Sequence, residues 1–482
     1  MKRRDFIGKS MMAGLAAGYG NKIALPGVDT RSDKKEISIP SQKIPVLTET
    51  DVLVCGGGCS GVAAAVSAAR HGAKVVMVER WPSVGGMATN ALVNIWHRSD
   101  RQKVVINGLV EETVQRLQKR NWVQQVSGFP RSHETHFFDP EGLRLVWHQM
   151  LREAGVKTYC YLNAGDPIIE NNTIKGVLVD TKTGRKAILA KIVIDSTGDG
   201  DIAAKAGLPF EFGRASDGLV QGMTMMYTLR GIDMDEKKDI TEEQLAGIME
   251  EMKTLRDKGQ LPPFNEGNTK VLLSKWKGNF FPWNMCPVSG NPLDEDELTR
   301  LTEKSREQVF QYLDYWREKV PGMEQAVVDQ TGFSLGIRES RRIKGLKTLD
   351  KDMVLNAVKQ PDAVGHGVWI IDIHDPKGTG HTTYSDKNEK LMLKEGTSYH
   401  IPLGMALNDK ISNLAVACRA ASSTHEAHAS FRVQTHLMVL AQGVGTCAAM
   451  ALSENKNMKN IDIKKLQSKL KADGVYLEDV PL

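Results

Sequence analysis

DVLVCGGGCSGVAAAVSAARHGAKVVMVE, Asp51 to Glu79, is the stretch on which the fold turns. Asp51 to Cys55 is a short apolar run and reads as a buried strand. Gly56, Gly58 and Gly61 follow as G-x-G-x-x-G. Ala63 to Ala69 is small and apolar, as a helix packed tightly on a sheet requires. Gly72 closes that helix, and Lys74 to Val78 is a second strand. Glu79 ends it, 23 residues after Gly56. Gly56 allows the tight turn, Gly58 lets the backbone approach a pyrophosphate, and Gly61 lets the helix lie close to the strand. The helix N-terminus offers free N–H groups and a positive dipole end. Glu79 is placed to accept hydrogen bonds from ribose hydroxyls. Strand, loop, helix, strand and acid together read as a dinucleotide-binding βαβ unit. A structural glycine turn in another α/β unit is the competing reading.

The surrounding composition is that of an ordinary globular protein: 482 residues, 41% hydrophobic and 25% charged. The length fits two closely connected domains. No run of about 18 apolar residues marks a membrane span. Of the net charge of +5, residues 1–25 carry +4, leaving about +1 for the remainder. A nucleic-acid partner, which usually needs a strong basic patch, is not expected. Cys55, Cys59, Cys160, Cys286, Cys418 and Cys447 show no C-x-x-C spacing and no disulfide framework. They read as packing residues, and no metal site is expected.

The N-terminus reads as an address. KRRDFIGKS, Lys2 to Ser10, carries Arg3 and Arg4, then Phe6, Ile7 and Lys9, before a weakly apolar stretch from Met11 to Gly18. This resembles a twin-arginine export signal; a basic disordered N-terminus is the alternative. That route carries folded proteins and suits an enzyme that acquires its cofactor first. The location expected is periplasmic or otherwise exported.

Further along, Gly85-Gly86 permits close approach of a ligand to the loop after Glu79. His97 is either an acid/base near that ligand or a surface-loop histidine. Residues 107–120, Asp139 to Ala154, Thr241 to Lys258 and Leu293 to Val320 read as helices. Val156 to Leu162 reads as a third strand. Ile168 to Val179 and Lys186 to Ile194 read as hairpin material around Thr183-Gly184. KIVID then runs into STGDGD, where Asp199 or Asp201 faces a ligand or, more plainly, caps a helix. The texture changes over residues 213–396. This part holds the aromatic stretch with Trp276, Phe280, Phe281 and Trp283, then GIRESRRIKG and WIIDIHDPKGTGH with His374 and His381. Asn413 to Ala417 is a returning strand, and Ser430 to Leu452 reads as one long helix. The organisation expected is a signal at 1–30, a lead-in at 31–47, a nucleotide-binding domain at 48–212 and 397–455, a cap at 213–396 and a charged helical tail at 456–482.

Five motifs in this order resemble the bacterial FAD-dependent oxidoreductases within the glutathione-reductase-like two-domain flavoproteins. They are the glycine loop Gly56 to Gly61, Asp195 to Asp201, Arg338 to Arg342, Ile371 to Pro376, and Ser423 to Val433. The resemblance spans roughly residues 48–455 and does not specify a substrate. It implies an α/β fold: a Rossmann-like FAD-binding domain, with a parallel sheet plus a β-meander, carrying an inserted α+β substrate or cap domain. It implies FAD, with the adenosine end on Gly56, Gly58, Gly61, Glu79 and Arg80 and the middle against Gly85 and Gly86. Gly198, Asp199, Asp201, Arg419, Arg432 and Val433 would face the phosphate, ribityl and ring end.

The flavin carries the hydride and the protein handles orientation and protons. His425, the first choice, with His374 and His428, are candidates for the base. Arg338 and Arg342, four apart, would share a helix face and clamp a carboxylate or the pyrophosphate; a salt-bridged surface is the alternative. The cap aromatics would stack on sugar rings or form a core. The leading expectation is oxidation of a sugar, polyol or related hydroxyl. A fumarate-reductase-like reductase or desaturase of a carboxylate and a non-catalytic nucleotide-binding protein remain open. No second G-x-G-x-x-G is evident for NAD(P)H, so a quinone, a cytochrome or oxygen is the expected electron acceptor.

Overall fold

The computed structural model describes residues 40–126, 134–233, 235, 240–266, 269, 283–378 and 391–480. The twin-arginine stretch, Trp276, Phe280, Phe281 and His381 lie outside them. The body of the chain runs from Gln42 to Leu482.

The quoted stretch forms β1 (Val46–Cys55), helix α1 (Cys59–Arg70) and β2 (Val75–Glu79). β1 starts before the apolar run because its polar first half also pairs, in parallel, with a long later strand. A small antiparallel sheet follows, of β3 (Ile95–His97), β4 (Val123–Val126) and β5 (Thr135–Phe138). β6 (Lys157–Cys160) is the expected third parallel strand and pairs with β2. β7 (Asn163–Glu170), β8 (Thr173–Thr181) and β9 (Gly184–Asp195) make an antiparallel meander. Ile168 to Val179 is therefore two strands. Asn171 and Asn172 both take positive φ and make the tight turn between them, as short polar side chains allow.

β9 joins the two halves of the sheet. Its first part pairs antiparallel with β8, and its last part pairs parallel with both β1 and β17 (Leu414–Val416). The strand order is β6-β2-β1-β9-β8-β7, with β17 beside the end of β9. Both faces of the parallel part are buried, as such strands require. Val52, Val54, Val75 and Met77 point into one core; Leu53, Cys55, Val76 and Val78 point into another.

The first core contains α1, helices Leu109–Gln118 and Pro140–Glu153, and helix Gln434–Ser453. Gln434–Ser453 is long and apolar enough to cross a membrane, but 94% of it is buried inside the fold, which makes it a core helix. The expected single helix from Ser430 is broken at Arg432-Val433, giving His425–Phe431 and Gln434–Ser453. After residue 456 the long helix is Ile463–Ala472, and its Leu466 and Leu470, with Leu477 beyond, join the same core.

A third core lies under β11 (Met223–Arg230), which pairs with β12 (Trp283–Val288) and β13 (Val327–Thr331). Helices Glu242–Asp257 and Glu295–Lys319 cover it, the first with a Thr241/Gln244 capping box. Trp283 stacks on Tyr227 at 5.9 Å and is 4% exposed, so it fills this core and offers no surface to a sugar ring. β10 (Phe210–Phe212) pairs with β14 (Arg341–Ile343). Arg338 and Arg342 therefore share no helix face. β15 (Ala363–Gly367) pairs with β16 (Tyr399–Pro402), and Gln434–Ser453 packs on this pair.

The contact between α1 and Gln434–Ser453 depends on glycine. A Cβ at Gly445 would meet the Ala64 carbonyl, whereas at Gly247, exposed on a solvated helix, it would meet nothing. Gly445→Ala should lower stability by at least ~2 kcal/mol through overpacking. Gly247→Ala should raise it by about 0.5–1 kcal/mol. Urea midpoints of the two variants check both signs.

Candidate active site

β1 and β9 end side by side, and both continue into glycine-containing turns. Gly56 has φ +103°, and any side chain there would strike the Ser196 carbonyl. A Cβ on Gly61 would strike the Gly56 carbonyl, so α1 begins pressed against the turn. Gly58 is the N-cap residue of α1, and its Cβ direction is open, with only Gly86 Cα at 3.9 Å. No side chain caps α1 and no acid lies in its first turn. Its N-terminal N–H groups and dipole are left for an anion.

The loop after β2 folds over this turn. Gly85 N donates to Gly57 O at 2.8 Å, and Gly85 and Gly86 both take positive φ. Glu79 is 4% exposed. Its Oε2 accepts from Gly57 N at 2.6 Å and its Oε1 from Trp81 N at 2.9 Å. One lone-pair direction remains on each oxygen for ribose hydroxyls. Arg80 is exposed at this rim.

On the β9 side, the buried Asp195 carboxylate organises the turn. It accepts from Thr197 N, Thr197 Oγ1 and Ala203 N at 3.0, 2.7 and 2.8 Å. Burial outweighs these donors and raises its pKa to about 6. Asp199 accepts from Arg419 and Ser340. Asp201 opens a short helix and pairs with Arg341 at 2.8 Å, on the outer side of the turn. Arg419 lies across Gly198, and its charge reaches Cys59 in the first turn of α1. A buried cation thus stands beside the uncapped N-terminus. Arg419 Nε and Asn90 Nδ2, both buried, have no hydrogen-bond partner among the described residues. Orphaned donors, an open glycine face and a paired acid fit the phosphates and ribose of a dinucleotide.

A second cluster lies beyond the cradle, where the core under β11 meets the rest. A pocket is lined by Gly222, Thr224, Asn265, Pro287, Arg338, His374 and Asp375. Arg338 reaches it from a loop, donating to Gly222 O and Thr224 Oγ1 at 2.7 Å and to Asn284 Oδ1 at 3.2 Å. Burial, then the neighbouring Arg432, lowers its pKa to about 9, which leaves it cationic at neutral pH. Asp372 holds His374 Nε2 at 3.4 Å and lies 3.8 Å from Arg432. The contact with His374 and the charges of Arg432 and Arg338 keep Asp372 well below the usual carboxylate range despite burial. Burial, then Arg338, lowers His374 to about 4, so its ring is neutral. Arg432 Nε is buried without a partner among the described residues. Val433 begins helix Gln434–Ser453, whose N-terminus has no side-chain cap.

Arg342 and His425 belong to a different, closed network. Glu339, fully buried, accepts from His425 Nδ1 at 2.9 Å, from Gln221 N at 3.0 Å and from Arg342. Arg342 also donates to Ser423 O at 3.1 Å and Gly213 O at 2.8 Å. It neither lines the pocket nor stands beside Arg338. His428 Nε2 donates to Arg338 O at 2.9 Å, and burial lowers the pKa of the ring to about 3. His97 is buried and stacked 3.9 Å from Trp369, which is not a surface-loop position. Asp372 and Glu339 are the organising acids that reading the sequence missed. Both sit inside motifs that were quoted, IDIHDP and GIRES, where the neighbouring His and Arg drew the attention.

A family model described as FAD dependent oxidoreductase matches residues 51–470. Protein FixC of Azotobacter vinelandii is 28% identical over 169 residues, covering 33% of this chain and 39% of that protein. The chain thus spans well under half the length of this relative. Among solved structures, p-nitrophenol 4-monooxygenase of Pseudomonas putida is similar at 12% identity and TM-score 0.44, covering 90% of both chains. A geranylgeranyl bacteriochlorophyll reductase-like protein of Thermoplasma acidophilum is similar at 14% identity and TM-score 0.41, covering 88% and 84%.

The buried histidines set a pH dependence. Burial lowers His97, His428 and His436 to about 3 and His374 to about 4. Below their unfolded pKa of about 6.5 the unfolded chain binds more protons, so stability is full above it and is lost as pH falls. Asp195, raised to about 6, works the other way, losing its contribution as pH rises through that value. His136 and His400, each lowered to about 4, add to the first four groups, and Glu79 and Glu134 are raised like Asp195; with six groups against three, the urea midpoint should be lower at pH 5 than at pH 7. An equal or higher midpoint at pH 5 contradicts this account.

Proposed function

The chain belongs to the FAD dependent oxidoreductase family, and from that premise we propose that it oxidises a hydroxyl of a small polar substrate, in the sugar and polyol class, by hydride transfer to FAD. FAD supplies the two-electron acceptance. The cradle at Gly56, Gly58, Gly61, Glu79, Gly85, Gly86, Gly198, Asp199 and Arg419 would hold it.

The observation that carries this reading is the Asp372–His374 pair at a pocket also lined by Arg338, Thr224 and Asn265. A neutral imidazole can take a proton as a hydroxyl is oxidised. With Nε2 turned to Asp372, Nδ1 is the atom left for the substrate. Asp372 fixes the ring and stabilises the imidazolium that forms. His425, held by Glu339, acts in this reading as a positioning residue for the Arg338–Arg342 loop. Residues 213–396 act as the substrate-facing cap.

Arg338 favours a second reading. A cation on the pocket wall, with Arg432 behind it, suits a substrate carboxylate and a fumarate-reductase-like reaction. In either reading the first 30 residues act as an export signal. In the oxidation, electrons would then pass to a quinone, a cytochrome or oxygen, whereas in the reduction the unsaturated carboxylate would itself accept them from an external donor.

Anaerobic bleaching of the flavin separates these readings. A polyol or sugar that bleaches wild type should do so at least ~100-fold more slowly with His374→Gln, with the flavin spectrum and content unchanged. Arg338→Gln should leave that reaction measurable. Failure of every carbohydrate and polyol to bleach, together with reoxidation of reduced enzyme by an unsaturated carboxylate that Arg338→Gln abolishes, would establish the second reading.

A further inference from the structure

Away from both clusters, the β15–β16 pair carries two histidines directly opposite each other, His366 and His400. Both are fully buried, and their rings meet edge to face at 4.7 Å. Asp479, beyond the last helix, comes back over this pair. Its Oδ1 lies 3.1 Å from His366 Nε2 and 3.1 Å from His400 Nε2. One ligand atom from each residue falls within 4.8 Å of the others. We propose that His366, His400 and Asp479 form a site for a borderline divalent cation, zinc in the first instance, that fastens the C-terminal segment to the β15–β16 ladder.

Several observations point to a ligand rather than a plain ion pair. His366 Nε2 is buried and, though close to the carboxylate, has no hydrogen-bond partner among the described residues. The same carboxylate oxygen is hydrogen-bonded to His400 Nε2 at 3.1 Å, so Asp479 Oδ1 stands within reach of both rings. Ligands about 2.0–2.1 Å from a tetrahedral zinc stand about 3.3 Å apart, close to the two His–Asp separations of 3.1 Å, and all three atoms lie within 4.8 Å of one another. Two imidazoles and one carboxylate, with water as the fourth ligand, suit zinc. The outer partners are also in place. His366 Nδ1 meets Ser398 Oγ at 2.8 Å, and His400 Nδ1 lies 3.3 Å from Gln360 O and 3.0 Å from Gln360 N. Donation from His366 Nδ1 to Ser398 Oγ leaves its Nε2 as a ligand, whereas His400 Nδ1 accepts from Gln360 N, so the proton on its Nε2 would have to shift to Nδ1, toward Gln360 O, when a cation binds. Lys359 Nζ holds the other carboxylate oxygen, Oδ2, at 2.6 Å, and orients Oδ1 toward the rings. The ligands are invisible as a motif because the two histidines lie 34 positions apart and the aspartate 79 positions beyond the second.

The cation would staple separate parts of the chain. β15 and β16 are the strands on which Gln434–Ser453 packs, and Tyr476 lies against His366 at 5.1 Å. Binding only to the folded chain raises stability by mass action.

The test uses tag-free, flavin-containing, full-length protein, stripped with EDTA, desalted and titrated with ZnCl2. Saturable uptake of one zinc per chain is expected in calorimetry, with a rise in Tm of at least ~2 °C. Asp479→Asn, which keeps the shape and loses the charge at an exposed position, should weaken binding at least tenfold and remove the Tm rise. His400→Gln should do the same. No saturable uptake by wild type overturns the site. Equal uptake by wild type and Asp479→Asn also overturns it, since the zinc is then held elsewhere.

Discussion

Everything in this molecule depends on how closely backbone meets backbone at the mouth of β1. The α1 helix starts against the Gly56 carbonyl, Gly56 lies on the Ser196 carbonyl, and Gly86 closes over Gly58. Side chains are excluded from all these contacts. The parallel strands then end at one level, and the two turns that follow them face the same space. β17 brings Arg419 to that level from a distant part of the chain. The cradle is therefore a consequence of close packing before it is a consequence of charge.

Charge enters as buried groups that satisfy one another. Arg419 with Asp199, Glu339 with His425, and Arg338 and Arg432 around Asp372 each join segments distant in sequence. A buried charge without a counterpart would be costly, so each pair specifies where its two segments must sit. The loop from Arg338 to Arg342 serves all three groupings. Arg338 lines the pocket, Glu339 anchors His425, Ser340 and Arg341 reach Asp199, and Arg342 closes on Gly213.

The sequence made the cradle legible because its requirements are local. Glycine spacing, an apolar strand and an acid at the end of the next strand all lie within residues 51–79. The α/β fold and FAD follow from that stretch and the motifs around it. Local capping was also legible, as at Thr241 with Gln244 and at Asp139 before Pro140. What failed was whatever depended on distant partners. The four-residue spacing of Arg338 and Arg342 suggested a helix, but the pull of Thr224, Asn284, Glu339 and Gly213 fixes an extended segment. Asn171-Asn172 was a local signal simply overlooked. For Trp283 the sequence leaves a sugar-stacking or a core role open, and Tyr227 and Trp316 beside it make it core.

The helix Gln434–Ser453 has a consequence for biosynthesis. It packs against α1, yet it is translated long after that helix. Until it emerges from the ribosome, the small apolar face of α1 has no cover, and β17 and Arg419 have only just joined the sheet. Contacts of such long sequence separation form late and slowly. The nascent chain thus cannot complete its cofactor cradle piecemeal from the N-terminus. Loading of the nucleotide becomes a post-translational event, and a ribosome that stops short of this helix releases a polypeptide with an unfinished cradle.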